Sequence, residues 1–152
     1  MNGIEPTWID ILTALLTPTI ALAAVLITWQ QVRISRNRLK HELFDRRYKL
    51  YEAARDLIGH SVSRGHPTDE ELFDFVLKTR ESEFLFDKNV SEYLNEIYNK
   101  AVDIQICHAE MEGLVGEEKS KNIDERRELL KFMGKQPQIL RDKFASYLKL
   151  KH

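Results

Sequence analysis

A chain of 152 residues with 23 basic and 24 acidic side chains carries a net charge of −1 at pH 7, which excludes the cationic surplus by which nucleic-acid binders hold phosphate backbones. Its one cysteine, Cys107, excludes an internal disulfide and the cysteine-rich zinc patterns, and fits a reducing compartment. With 43% apolar residues beside this much charge, the chain reads as a small helical fold rather than a disordered tail.

The first element is the run from Ile11 to Val32, 22 residues without a formal charge. As a helix it measures about 33 Å, enough for a bilayer core of about 30 Å. Its apolar residues lie on every side of the helical wheel, so no face is left for water. A cleaved signal would need a basic start and a small-residue site after a shorter apolar run, whereas Glu5 and Asp10 precede this one. The pattern predicts a retained transmembrane helix. Trp8 and Trp29 bracket it as interface anchors, where an indole buries its rings and keeps its N–H wet.

Between Arg33 and Lys49 seven basic residues face two acidic ones, while the ten residues before the span hold no Lys or Arg. Basic flanks stay on the cytoplasmic side, so the N-terminus is expected outside and the rest of the chain inside. Arg33, Arg36, Arg38 and Lys40 open that run and are candidates for contact with lipid headgroups. Within the span Ala14, Thr17, Ala21, Ala24 and Thr28 recur at three and four, a small-residue side suited to close helix packing and hence to a homo-oligomer.

Downstream, four helical segments are expected. Residues 33–64 continue the span as a juxtamembrane helix that is basic at its start, with Leu39, Leu43, Leu50, Ala54, Leu57 and Ser61 as its apolar stripe and Gly65 and Pro67 as its end. The T-x-x-E pattern at Thr68 to Glu71 is a capping box opening a second helix, with Leu72, Phe73, Val76 and Leu77 inward, followed by a hydrophobic plug at "EFLFDK". A third helix, capped by Asp87, runs from Lys88 to Glu112 on Val90, Leu94, Ile97, Ala101, Ile104, His108 and Met111. The last covers Glu117 to Leu148, with Ile123, Leu130, Met133, Leu140, Phe144 and Tyr147 or Leu148 inward and a kink or split expected near Gly134 and Pro137.

The fold class is therefore all-α: a short external N-terminus at 1–10, a transmembrane helix at 11–32, and a cytosolic antiparallel bundle made of 33–64 and 65–152. The strings "LFDRRYKLYEAARDLI" (43–58) and "TRESEFLFDKNVSEYLNEIYNKAVD" (79–103), behind an N-terminal span, resemble a group of small bacterial membrane-anchored helical proteins of uncharacterised function. The resemblance implies the same architecture and a bacterial inner membrane, and carries no catalytic assignment.

Chemistry-bearing motifs are scarce. There is no glycine-rich phosphate loop, no close cysteine pair and no G-x-S-x-G elbow, so no catalytic, cofactor or metal residue is assigned. "HELFD" (41–45) has Asp45 where a zinc helix needs its second histidine, and "CHAEME" (107–112) reads as a core thiol and histidine. Arg47 falls beside the apolar stripe, where it needs a carboxylate; Glu81, Glu83 and Asp87 are candidates, and with Arg80 it is the one possible anion or ion-pair site. The reading is an interaction or scaffold module anchored to the lipid bilayer and docking an unknown protein partner, with no nucleic acid. The alternative is a sensor-effector whose cytosolic part binds a small anionic signal such as a nucleotide.

Overall fold

The computed structural model describes residues 8–149 and their side chains, apart from those of 9–17 and 37. Among the described residues it is all-helical, with α1 at Trp8–Arg64, α2 at Asp69–Thr79, α3 at Ser82–Leu85, α4 at Lys88–Glu110 and α5 at Gly116–Phe144. The chain divides into two units, Met1–Glu42 and Leu43–His152.

In the first unit every side chain from Pro18 to Arg36 is exposed. Among the described residues no helix is long and apolar enough to cross a membrane. The span expected at 11–32 is therefore not found as such. The side chains of its residues 11–17 lie outside the described set. Ala14 and Thr17 of the small-residue side also lie outside the described side chains. Leu39, expected on the bundle stripe, is exposed.

The second unit is a helical bundle. Its core joins Leu50, Ala53, Ala54, Leu57 and Ile58 of α1 to Leu72 and Phe75 of α2, Leu85 beside Phe86, the α4 stripe, and Met133, Leu140 and Phe144 of α5. On α4, Val90, Leu94, Ile97, Ala101 and Ile104 are buried at the expected spacing, and three of them are 0% exposed. Direction follows from the cross-helix partners. Asn89 meets Lys143 and Tyr93 meets Gln136, so α4 and α5 run antiparallel. Asp69 bonds Gln105 and Phe75 stacks on Tyr98, so α2 is antiparallel to α4 as well.

The caps match their sequence signals. Thr68 accepts from the Glu71 amide while the Glu71 carboxylate accepts from the Thr68 amide, and the Asp87 side chain accepts from the Val90 amide. At Gly65, φ is +79°, a left-handed turn that ends α1 and is disfavoured for any side chain with a Cβ.

Four further expectations are corrected. Ile123, expected inward on the last helix, is exposed, and Asn122 is buried instead. On α2 the inward residues are Leu72, Phe75 and Thr79, while Phe73, Val76 and Leu77 are exposed. The aromatic pair Phe75–Tyr98 sets the rotation of this short helix. In the plug, Leu85 and Phe86 are buried but Phe84 is 87% exposed. The last helix neither splits at Gly134 nor stops at Pro137; α5 is one element from Gly116 to Phe144. Pro137 faces solvent, and Met133, Gln136 and Leu140 anchor the helix against α4 on either side of it, so packing outweighs the lost backbone bond.

Ile97 sits at the centre of the buried stripe. Ile97→Asp buries an unpaired charge and is expected to lower stability by on the order of 3 to 5 kcal/mol. Thermal unfolding followed by circular dichroism measures it. An unchanged melting temperature would place this face in water.

Candidate functional site

Sequence-assigned residues fall in both units. In the first, Trp8 and Trp29 are 69% and 63% exposed, and Ile20, Leu22, Val25, Leu26 and Ile27 between them are 55% to 66% exposed. Ala21, Ala24 and Thr28 are exposed on the same helix. The Thr28 hydroxyl donates to the Ala24 carbonyl at 2.8 Å, so its hydrogen bond is made within its own helix. Arg33, Arg36, Arg38 and Lys40 follow at once, all exposed. The Arg33 guanidinium lies 6.0 Å from the centre of the Trp29 ring.

In the second unit Arg47 is partly buried, as its place beside the stripe implied, but it finds other partners than the carboxylate expected. Its Nε donates to the Leu85 carbonyl at 3.1 Å, and the guanidinium lies 5.9 Å and 5.4 Å from the rings of Phe86 and Tyr147. Those rings belong to an edge-to-face cluster in which Phe86 also meets Phe144 at 4.9 Å. Glu81 pairs instead with Arg46, at 3.9 Å on the surface. Arg80 is exposed at the C-cap of α2, and no contact joins it to Arg47 among the described residues. The Asp87 carboxyl is held below its ordinary range by the Tyr147 hydroxyl and the Val90 amide, which ties the chain after α5 to the start of α4. Arg47 thus clamps α1 to the end of α3.

Sequence reasoning missed a second cluster. His66, in the turn after α1, stacks face to face on His108 near the end of α4, with ring centres 3.7 Å apart and planes 11° apart. The His66 Nδ1 lies 3.1 Å from the Pro67 carbonyl, to which it donates as a protonated ring nitrogen. Arg126 of α5 donates twice to the Gly65 carbonyl, at 2.9 and 3.1 Å. The His108 Nδ1 is buried with no hydrogen-bond partner among the described residues. Burial, the His66 ring and the Arg126 charge push the His108 pKa below its ordinary value, against an opposing pull from Glu112. The period-seven position of His108 signalled burial; nothing local signalled a ring arriving from 42 positions upstream. Cys107 beside it is buried, and burial raises its pKa, followed by the charges of Glu125, Glu110 and Asp103. Among the described residues no group of three or more His, Cys, Asp or Glu side chains is arranged to hold a metal ion.

The histidine stack makes the bundle acid-sensitive. An unfolded chain protonates His108 near its ordinary pKa of about 6.5, ahead of the folded one. Stability is therefore full above that pH and falls as pH drops through the lowered folded pKa. The melting temperature of the full chain is expected to fall between pH 7 and pH 5, and His108→Gln to flatten that fall. Parallel pH profiles for the two proteins would overturn the assignment.

With this geometry in hand, comparison with protein-family models, with curated proteins and with solved structures finds no match to the chain.

Proposed function

We propose that the protein is a membrane-anchored helical interaction module. Residues 11–32 cross a bacterial inner membrane once with the N-terminus outside, and the bundle stands in the cytoplasm, where it docks a protein partner and does no chemistry of its own. The observation that carries this reading is the exposure of the apolar side chains from Ile20 to Ile27 on all sides of α1, followed directly by the basic run from Arg33. Water makes such a surface costly over its whole circumference, whereas lipid tails do not. The basic flank supports the orientation, and Trp8 and Trp29 stand where interface anchors belong. Docking is supported by Phe73, Val76 and Leu77 on the outer side of α2 and by Phe84, large apolar side chains that the bundle leaves uncovered.

The orientation is tested with C-terminal reporter fusions in a bacterial host. A fluorescent-protein fusion is expected to glow in the membrane fraction and an alkaline-phosphatase fusion to be inactive. An active phosphatase, or a protein recovered in the aqueous fraction, would overturn the reading.

Self-association within the membrane is part of the same proposal. Ala21 and Ala24 let two backbones approach, and because the Thr28 hydroxyl is used within its own helix, the gain comes from packing. Replacing Ala21 and Ala24 by Leu is expected to weaken crosslinked dimer in membranes, and Leu22→Ala to leave it unchanged. Equal loss from both changes, or a monomer in the unaltered protein, would discard the contact.

A further inference from the structure

Several cations of the bundle are held in ion pairs. Lys78 pairs with Asp74, Lys121 with Glu117, Arg127 with Asp124 and Lys131 with Glu128, each within one turn of its own helix. Arg33, Arg36 and Lys40 are in no ion pair among the described residues, a state they share with Arg38 beside them and with Lys49, Arg80 and Lys119 of the bundle; what sets the three apart is where they lie. They are not spread round the helix. Together with Trp29 and Val32 they line one hollow on the surface of α1. Trp29, Arg33, Arg36 and Lys40 follow at steps of four, three and four, which keeps them on one side over about 16 Å of helix. Arg38, two positions from Arg36 and Lys40, points away from that side.

We propose that this face is a binding site for the headgroup of an anionic phospholipid. The inference rests on the anchoring reading, and adds to it which residues bind and what they bind. Each component has a place in the lipid. The Val32 side chain and the Trp29 ring offer apolar surface to the glycerol and upper acyl region, and the indole N–H is suited to the ester level. The Arg33 guanidinium, set against the Trp29 ring, presents its planar donors to a phosphate, and Arg36 and Lys40 add charge one and two turns further from the bilayer core. Three unpaired cations on one face hold a charged headgroup where zwitterionic phosphatidylcholine would set its own ammonium against them.

The full chain, carrying Trp8→Phe so that Trp29 is the one remaining indole, is reconstituted in phosphatidylcholine bilayers that contain a small fraction of spin-labelled lipid. Quenching of Trp29 by labelled phosphatidylglycerol is compared with quenching by labelled phosphatidylcholine, at about 0.5 M salt to screen the general surface attraction. Phosphatidylglycerol is expected to be enriched about fivefold or more at Trp29, a factor that matches the loss of one charge contact of about 1 kcal/mol. Arg33→Gln with Arg36→Gln is expected to abolish the enrichment, and Arg38→Gln to leave it in place. Equal quenching by the two lipids in the parent chain, or equal loss from Arg38→Gln, overturns the headgroup site. Removal of the preference by millimolar inorganic phosphate also overturns it, assigning the face to a soluble anion. A chain that stays in the aqueous phase and is quenched by neither lipid overturns the anchoring reading itself.

Discussion

Everything in the bundle leans on one helix face. The side of α4 that carries Val90, Leu94, Ile97, Ala101 and Ile104 is the surface against which α2, α3 and α5 pack, and the apolar residues of α1 join the same core. Helices of this length are marginal alone in water, and α2, at 11 residues, is well below the length at which propensity suffices. Their helicity is a consequence of burial against α4. Ala101, next to Ile97 on the stripe, is 0% exposed, which lets a neighbour approach closely where a larger residue would hold it off.

Polar contacts then select one arrangement from those that greasy faces alone allow. Tyr93 donates to Gln136 inside the protein, while the Gln136 amide donates back to the Phe132 carbonyl, so both partners are satisfied at one register of α4 on α5. The Tyr93 pKa is pushed far up by burial and by Glu96, which keeps the phenol neutral and a donor. Arg126 fixes the opposite end by taking the Gly65 carbonyl, and Arg47 fixes the near end through the Leu85 carbonyl. The Tyr93, Arg126 and Arg47 bonds each join residues at least 38 positions apart in sequence.

What could be read in advance follows from how long a signal persists. The α4 stripe repeats over five buried positions, and the caps at Thr68 and Asp87 are local chemistry, so both were legible. On α2 a run of apolar residues at 72, 73, 75, 76 and 77 offers two competing faces, and the choice is made by Tyr98, which lies on another helix. The basic run after Val32 was legible as composition, but its division into a lined face and an outlying Arg38 needed the helix itself. Arg47 was correctly placed beside the core from its neighbours Leu43 and Leu50. Its partners were not, because a backbone carbonyl and two ring faces leave no mark in the sequence comparable to a carboxylate. The pairing of His66 with His108 escaped for the same reason.

The solitary thiol of the chain gives the bundle its own gauge. Cys107 is 5% exposed at the edge of the α4 stripe, and its thiol resists ionisation where it lies. An alkylating reagent needs both access and a thiolate, so it reacts only while α4 is parted from its neighbours. The speed of that reaction, set against the speed for an unfolded thiol, reads out how often the interior breathes without any engineered label, and it does so at the one helix whose release would undo the rest.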